Sequence, residues 1–286
     1  MRHDLYFKPN PSFTGEFDVL SSHGTSNYNA LQAEYRHRAS HGLQTLVSYT
    51  WAHTIDDVSS DGNYQNVPPG AEPVSLDRGP SDYDIRHTFS AAVSYDIPRP
   101  HNGVLKQILG NWSTDSIIYA RSSLPVNVVT GNNPFPGTLL FGANSVQRPN
   151  LVPGAPFYLH PSGAPGGKII NAAAFSTPVP ATAQGDLGRN ALRGFGATQL
   201  DITLRRQFRF TERFSLQFRG DFFNILNHPN FGNPINYLNA SATTPFGYAT
   251  QMLNNYLGAG GQSGGLNPLY QIGGPRSIQL ALKLQF

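Results

Sequence analysis

The most constraining feature of the sequence is a pair of alternating segments between Thr198 and Leu226. In each segment the residues at alternate positions are mostly apolar, chiefly Phe, Leu or Ile, and the residues between are mostly charged or amide-bearing. A period of two indicates β-strands with one apolar and one polar face. The short connection at Thr211-Glu212 predicts antiparallel pairing of the two strands. A row of large apolar side chains opposite a charged row is typical of a strand between lipid and an aqueous lumen.

The same alternation recurs along the chain. It predicts strands near residues 27–38, 43–53, 84–97, 111–123, 198–209, 214–226 and 276–286. In the hairpin, the even-numbered residues from 200 to 222 are predicted to face lipid. The alternation is poorest in the strand near 111–123. Tyr49 and Trp51, near the end of the second strand, predict an aromatic belt at one membrane interface.

The connections between these strands alternate in length. Short connections lie near residues 39–42, 98–110 and 209–213, and long ones near 53–83, 124–197 and 227–275. Transmembrane barrels have short periplasmic turns and longer outer loops, whereas such long loops are uncommon in compact soluble domains. The sequence therefore predicts an all-β fold, an antiparallel transmembrane β-barrel segment with long extracellular loops that contact a ligand.

Composition excludes several other classes of protein. Charged residues make up only 13% of the 286 residues, and the net charge of +3 comes without the basic stripe that nucleic-acid binding requires. No run approaches the roughly 18 apolar residues of a membrane-spanning helix. The chain has no cysteine, which excludes disulfides and thiolate metal sites.

The number of predicted strands indicates a larger protein. Seven is an odd number, whereas single-chain bacterial barrels have an even number of strands, and unpaired strand edges are costly in lipid. Residues 1–25 are interpreted as a loop or the end of a preceding strand, and an eighth strand there would make the number even. We favour the alternative that residues 26–286 are the C-terminal part of a larger barrel. The start of the sequence has no apolar signal-peptide core, so we expect the chain to be incomplete.

The run GRNALRGFGATQLDITLRRQFRFTERFSLQFRGDFFNILNHPNFGNP, at residues 188–234, closely resembles the C-terminal barrel of Oar-like TonB-dependent receptors of acidobacterial type. Further resemblances follow in the family's order: SNYNALQ (26–32), SYTWAHTIDD (48–57), DRGPSDYDIRHTFS (77–90), GNW (110–112) and the terminal strand ending in Phe286. Together they cover residues 26 to 286.

The resemblance implies a barrel of about 22 strands in the outer membrane of a Gram-negative bacterium, surrounded by lipid and filled by an N-terminal plug. Such receptors take up bulky ligands such as siderophores, oligosaccharides or peptides. Some Oar-like members are linked to protein export or surface adhesion. The plug and TonB box of the family are missing from this sequence, so the TonB-ExbB-ExbD system would act through the missing plug. Phe286 resembles the signal read by the barrel-assembly machinery.

One acidic cluster suggests a metal site. Asp56, Asp57, Asp61 and Asn63 could bind calcium, which prefers several oxygen ligands on a flexible loop. The spacing fits no EF-hand, and we favour a solvated acidic loop. We expect no metal or cofactor site in the chain.

The motif DYDIRH suggests a catalytic site. It contains Asp82, Asp84, Arg86 and His87. No Ser or Cys nucleophile accompanies these residues, so we favour charge pairing at the lumen or rim of a barrel. We expect no enzymatic activity and no catalytic residues, although a small outer-membrane barrel enzyme and a surface adhesin remain alternative functions.

We expect the remaining glycine, charged and histidine motifs to have structural roles. The glycines of GDLGRNALRGFG (185–196) lack the strand and helix context of a phosphate site, and we expect them to turn an outer loop into the barrel wall. Arg205, Arg219 and Asp221 share the parity of the lumen and are expected to pair with each other or with the plug. His37 and His41 flank a periplasmic turn and are interpreted as incidental. His228-Pro229 is expected to end a strand.

Overall fold

The computed structural model describes almost all of the predicted strand residues and large parts of the connections. The described residues are 24–39, 42–57, 59, 77–98, 103, 110–130, 147–179, 184–211, 213–241, 243, 245–257 and 272–286. The loop or preceding strand predicted at residues 1–25 therefore lies almost wholly outside the described residues.

The predicted all-β antiparallel fold is confirmed. The strands are β1 (Ser26–Arg38), β2 (Leu43–Asp56), β3 (Gly79–Pro80), β4 (His87–Asp96), β5 (Trp112–Arg121), β6 (Pro125–Val126), β7 (Asn150–Leu151), β8 (Tyr158–Leu159), β9 (Ile169–Ile170), β10 (Phe175–Ser176), β11 (Leu192–Arg193), β12 (Ala197–Arg209), β13 (Ser215–Phe223) and β14 (Ser277–Gln285). The seven long strands form one sheet in the order β1-β2-β4-β5-β12-β13-β14, with β3 added to β2.

Helical structure is sparse in the described part of the chain. It comprises the short α-helix α1 (Leu253–Tyr256) and the 3₁₀ turns Pro165–Gly167 and Ala172–Ala174. None of the helices described is both long and apolar enough to cross a bilayer.

The strand predicted at 84–97 begins later than expected, at His87. The amide of Asp84 donates to the carbonyl of Ser81 at 2.9 Å, and this turn keeps the preceding backbone out of the sheet. The second strand is longer than the predicted 43–53, because β2 continues towards the long connection and pairs there with β3.

The strand predicted at 214–226 is shorter than expected and ends at Phe223. Asn224 and Asn227 adopt φ angles of 46° and 51°. This left-handed conformation is incompatible with a β-strand, and asparagine tolerates it better than most residues. Asn224 therefore ends β13, several residues before His228.

The register divides the sheet into two faces. We call one face the outer row. It consists of the odd-numbered residues of β1, β2 and β4 and the even-numbered residues of β5, β12, β13 and β14. Ile118 illustrates its continuity, since it pairs with Ala91 on one side and Leu200 on the other. The alternate residues form the inner row. Of the hairpin residues predicted to face lipid, the even-numbered ones in the paired strands, at 200–208 and 216–222, lie in the outer row.

Several side chains depart from the division into an apolar and a polar row, and Arg206 and Ile117 are two of them. Arg206 lies in the outer row, opposite Phe218 of β13 and Trp112 of β5. Ile117 lies in the inner row, opposite Asp201, and is 54% exposed. The neighbouring Ile118 lies in the outer row, so two consecutive isoleucines obscure the alternation of β5 in the sequence.

The sheet has two open edges, β1 and β14. Within the described residues, β1 pairs only with β2, and β14 pairs only with β13. Both faces of β1 are exposed along its whole length. Unpaired backbone amides cost several kcal/mol each in hydrocarbon, so both edges need further strands in a bilayer.

The long connections lie together at one end of the sheet and form what we call the loop assembly. It consists of the described residues of outer loop 1 (57–86), outer loop 2 (122–196) and outer loop 3 (224–276). Loop 2 contains the small strand pairs β7-β10 and β8-β9, and β6 pairs with β11. An apolar core fills the assembly and comprises Val126, Val128, Ile170, Ala174, Phe175, Leu187 and Leu192. Loop 3 adds Leu238 and Phe246 to this core.

The two isoleucines of β5 give a matched test of the two faces. Ile118→Arg places a charge in the apolar outer row and should impair folding into bilayers by roughly 2–4 kcal/mol if it lies near the midplane. Ile117→Arg places the same charge beside Asp201 and should be tolerated. The measurement is the folded fraction in lipid vesicles, scored by heat-modifiable gel migration. Equal folding of both variants would contradict the assignment of the faces.

Candidate functional site

A buried arginine joins outer loops 1 and 2. The Arg189 side chain is 1% exposed, and its Nη1 donates to the Asp56 carboxylate at 2.7 Å. The same nitrogen donates to the carbonyls of Asp56 and Asp77 at 3.1 and 3.2 Å. Nη2 donates to Ser59 Oγ and lies 3.4 Å from the Asp82 carboxylate. Removing one partner of a buried ion pair is strongly destabilising, so Arg189 fixes loop 2 to the end of β2.

The segment from Gly185 to Gly196 runs close against neighbouring backbone. None of its glycines has a positive φ; the left-handed residue is Asn190, with φ 54°. The Asn190 side chain donates to the carbonyl of Pro80 at 2.8 Å. A Cβ on Gly185 would collide with the carbonyl of Pro149. The expected role of these glycines as flexible turn residues is therefore wrong: Gly185, Gly194 and Gly196 lie too close to their neighbours for a Cβ, whereas a Cβ on Gly188 would meet nothing within 4 Å.

Asp84 is the centre of a second cluster, just before β4. Its side chain is fully buried and accepts hydrogen bonds from the Thr54 amide at 2.8 Å, from Arg86 Nε at 3.0 Å and from Arg193 Nη2. Burial by itself raises the pKa of Asp84. The hydrogen bonds from Thr54, Arg193 and His53 outweigh burial and hold the pKa at about 2. Asp84 therefore anchors loops 1 and 2 as a carboxylate.

His53 completes this cluster. Its Nδ1 lies 3.1 Å from the Asp84 carboxylate, and its Nε2 lies 3.3 Å from Arg86 Nη2. Because arginine can only donate hydrogen bonds, Nε2 is the acceptor and Nδ1 carries the proton donated to Asp84. Nothing in the sequence marks His53, since its partners are 31 and 33 residues away.

A third ion pair joins Asp77 of loop 1 to Arg148 of loop 2. Both side chains are buried, and Arg148 also donates from Nε to the Leu187 carbonyl at 3.0 Å. Desolvation raises the pKa of Asp77, although the guanidinium groups of Arg148 and Arg189 act in the opposite direction. The cost of desolvation means that such a pair contributes little net stability. We interpret it as a determinant of how the loops meet.

The calcium interpretation of the acidic cluster finds no support in the residues that the structure describes. Asp56 binds the buried arginine, and Asp57 accepts hydrogen bonds from the Thr25 amide and Oγ1 at 2.7 and 2.9 Å. Asp61 and Asn63 lie outside the described residues. Elsewhere in the described ranges, no three His, Cys, Asp or Glu side chains are grouped to hold a metal ion. The expected solvated loop is wrong for Asp56 and Asp57, which are buried.

The motif DYDIRH divides between two surroundings. Asp84 and Arg86 form the rim ion pair that the sequence favoured over catalysis. His87 instead lies in the outer row, where its Nδ1 is 2.8 Å from the hydroxyl of Tyr49. Tyr49, Trp51 and His87 are thus neighbours towards the end of the sheet where outer loop 1 begins. The aromatic belt of Tyr49 and Trp51 at a membrane interface stays a prediction.

Two further histidines of the described residues, His37 and His228, take structural positions. His37 stacks on Tyr35 at the end of β1, with ring centroids 6.2 Å apart. Its predicted neighbour His41 lies outside the described residues. The amide of His228 donates to Asn224 Oδ1 at 3.0 Å and closes the turn after β13.

The inner row carries paired charges along the sheet. Arg219 Nε lies 2.9 Å from the carboxylate of Asp221, which also accepts from Thr203 Oγ1 at 2.6 Å. Arg205 pairs instead with Asp115 of β5, at 2.8 Å. Arg205 and Arg219 are register partners, and like charges directly opposite each other are destabilising. The two carboxylates offset this repulsion.

Outer loop 3 folds over the inner row at the outer end of the sheet. Gln199 is buried, and its Oε1 accepts from the amide of Gly273 at 2.8 Å. Asp201 accepts from the amide of Asn224 at 2.7 Å, and Asn224 Nδ2 donates to the carbonyl of Gly274 at 2.8 Å. These contacts place loop 3 on the inner-row side of the sheet.

The comparisons with known proteins bear on this arrangement of faces and loops. The family model for an outer membrane beta barrel domain matches residues 4–261. The chain belongs to this outer-membrane β-barrel family. No curated protein matches the chain, and no solved structure matches it.

Membership of the barrel family assigns the two faces. This barrel protein lies in the outer membrane of a Gram-negative bacterium, with its outer row towards lipid and its inner row towards the lumen. The short connections are then periplasmic and the loop assembly is extracellular. A folded assembly on the lumen side of the wall can present a fixed surface to a ligand at the mouth of the barrel.

Replacement of Arg189 tests whether it holds the assembly together. Arg189→Met leaves Asp56 as an unpaired buried carboxylate and should destabilise the contact between loops 1 and 2 by roughly 3–5 kcal/mol. Protease added to intact cells should then cleave loop 2 faster than in the unmodified protein. The control is Arg78→Met, because Arg78 is exposed and bonds only weakly to Thr25, at 3.3 Å. Equal cleavage of the two variants would contradict an anchoring role for Arg189.

The low pKa of Asp84 predicts how loop stability depends on pH. Because the pKa falls from an ordinary 3.8 to about 2 on folding, Asp84 stabilises the assembly above pH 3.8 and loses this effect as the pH falls towards 2. The difference corresponds to roughly 2 kcal/mol. Pepsin should therefore cleave Asp84→Asn faster than the unmodified protein at pH 4, with the difference lost near pH 2. A constant difference across this range would contradict the assignment.

Proposed function

We propose that this chain forms wall strands and ligand-contacting outer loops of an Oar-like TonB-dependent receptor. Its ligand is a bulky molecule such as a siderophore, an oligosaccharide or a peptide. The resemblance of residues 188–234 and of the shorter motifs, in the same order as in that family, supports the receptor type. Membership of the outer-membrane barrel family supports the location.

The observation that carries the proposal is the open sheet with loops on its lumen side. Both β1 and β14 need partner strands in lipid, as their edges are unpaired within the described residues. A barrel of about eight strands has an interior filled by its own side chains. The inner row here carries long polar side chains with loop 3 folded over its outer end. A wider barrel of about 22 strands gives room for these groups and for a plug.

Besides lipid, the proposed receptor has three partners: its bulky ligand, the TonB-ExbB-ExbD system and the barrel-assembly machinery. The inner-row charges of Arg205, Arg219 and Asp221 face the N-terminal plug, through which the TonB-ExbB-ExbD system acts. Their ion pairs within the wall mean that a plug contact is not required for each of them. Phe286, 91% exposed after an alternating strand, is the recognition signal for the barrel-assembly machinery.

In this proposal the loop assembly binds ligand and has no catalytic role. The charged side chains of Asp84, Arg189 and Arg193 form ion pairs between loop 1 or the end of β2 and loop 2. Their role is therefore to hold the loops in place. A surface adhesin is the second candidate, because a folded loop assembly can equally bind a surface or another cell. A small barrel enzyme is less well supported, since it would close with about eight strands.

The strand number of the protein isolated from its native outer membrane tests the proposal. Cryo-electron microscopy in lipid nanodiscs should show β1 paired with a further strand and a closed barrel of about 22 strands. A closed barrel of seven or eight strands would overturn the receptor assignment.

Binding of the periplasmic domain of TonB separates the receptor from the adhesin. The same isolated protein should retain the purified domain on an affinity matrix, and a plug-deleted version should not. A large barrel that fails to retain the TonB domain would instead support the adhesin.

A further inference from the structure

Arg121 is a buried arginine of the inner row without a counter-ion. It is the last residue of β5 and is 9% exposed. Its Nη1 donates to the carbonyl of Ser122 at 3.3 Å, and in the part of the chain that the structure describes no carboxylate pairs with it. Arg205 and Arg219 of the same row both have carboxylate partners. A buried charge is costly unless it is paired, so the wall leaves the charge of Arg121 for an anion from outside.

The remaining donors of Arg121 are not sealed inside the protein. A guanidinium has five N–H groups, and within the described residues this one makes the single hydrogen bond to Ser122. Buried side-chain nitrogens that lack a hydrogen bond occur elsewhere in the described residues, for example Nε of Arg189, but none belongs to Arg121. Nε and Nη2 of Arg121 therefore keep access to solvent on the lumen side of the wall.

Two tyrosine hydroxyls lie near this guanidinium. Among the described residues, the ionisable groups that interact electrostatically with Arg121 are Tyr119 and Tyr256. Tyr119 precedes Arg121 by two residues in the inner row of β5. Tyr256 is the last residue of α1 in outer loop 3 and is 40% exposed. Neither hydroxyl forms a hydrogen bond within the described residues. One cation and two hydroxyl donors are thus available to the same anion.

Outer loop 3 places α1 over this part of the inner row. Gln199, the register partner of Tyr119, accepts from the amide of Gly273 at 2.8 Å. A Cβ on Gly273 would lie 2.6 Å from Leu253 Cβ, so α1 packs against the same contact. The three donors therefore lie between the wall and outer loop 3, at the extracellular end of the lumen.

The charge of this group of donors favours a carboxylate over a phosphate ester. A guanidinium binds either group through paired N–H donors. A carboxylate carries one negative charge, which Arg121 balances, whereas a phosphate monoester carries about −1.5 to −2 at neutral pH. The inner-row carboxylate of Asp201 accepts from Gln199 Nε2 and from the amide of Asn224. It is therefore engaged elsewhere and does not neutralise Arg121.

We propose that Arg121, Tyr119 and Tyr256 bind a carboxylate group of the ligand at the mouth of the barrel. The two carboxylate oxygens accept from Nε and Nη2 of Arg121, and the tyrosine hydroxyls donate to the lone pairs that remain. The assignment of this site to the ligand rests on the proposed function. It restricts the ligand to a carboxylate-bearing siderophore, an acidic oligosaccharide or a peptide.

Benzoate is a small carboxylate probe of the site, and benzamide is its neutral counterpart. Saturation-transfer NMR titrations use the protein isolated from its native outer membrane. Benzoate should bind about tenfold more tightly than benzamide, the factor expected for a hydrogen bond to a charged group. Arg121→Gln should remove this preference. Arg209→Gln removes an exposed charge from the opposite end of the inner row and should leave the preference unchanged.

Tyr256→Phe tests the site without changing the buried charge. It removes one hydroxyl from a partly exposed residue and should weaken benzoate binding about fivefold, as expected for one hydrogen bond. Heat-modifiable gel migration should show that Tyr256→Phe and Arg121→Gln are both folded. Equal binding of benzoate and benzamide to the unmodified protein, unchanged benzoate binding in Tyr256→Phe, or the same loss in Arg209→Gln would overturn the proposal.

A plug-deleted version and inorganic phosphate test the other possible occupants. Benzoate that binds only after deletion of the plug would assign the site to a carboxylate of the plug and overturn the ligand assignment. Displacement of benzoate by equimolar inorganic phosphate would overturn the restriction to carboxylates. Failure of the receptor function is seen separately, because a protein that does not retain the TonB domain would still prefer benzoate to benzamide.

Discussion

The fold depends on one constraint, that backbone amides in hydrocarbon must pair with other strands. This requirement holds seven long strands in a continuous antiparallel register. Because side chains alternate with a period of two, the register decides at once which residues meet lipid and which meet the lumen. A slip of one residue in β12 would bring Arg205 and Asp201 into the outer row. The polar inner row therefore stabilises the register as much as the apolar outer row does.

The loop assembly is held by a different kind of interaction. It has an apolar core, yet the contacts that join loop 1 to loop 2 are buried ion pairs centred on Arg189, Asp84 and Asp77. Such pairs contribute little net stability, because desolvation offsets their attraction. Their directional hydrogen bonds instead favour one arrangement of the loops. An assembly fixed in this way loses less conformational entropy on binding than flexible loops would.

The sequence predicted the strands because their signal is local. Alternation within ten or so residues is enough to identify them and to orient Ile202, Phe218 and Leu280 correctly. The ion pairs could not be predicted, since Arg189 and Asp56 are 133 residues apart and no periodicity relates them. The same reason explains why two aspartates expected in solvent are buried. The early end of β13 depends on the left-handed Asn224, a conformation that alternation does not reveal.

Two arginines, Arg189 and Arg206, show how environment determines the role of the same side chain. Arg189 is enclosed by protein, where carboxylates, carbonyls and the Ser59 hydroxyl accept from its two Nη atoms, and it acts as a structural centre of the loops. Arg206 lies on the wall in the apolar outer row, where the rings of Trp112 and Phe208 lie 5.4 and 4.4 Å from its Cζ. The alternation of the sequence already assigns Arg206 to the outer row, whereas nothing in the local sequence indicates the burial of Arg189. Both positions follow from the register of β12 and from the loop that enters it, because residues 185–196 lead directly into that strand.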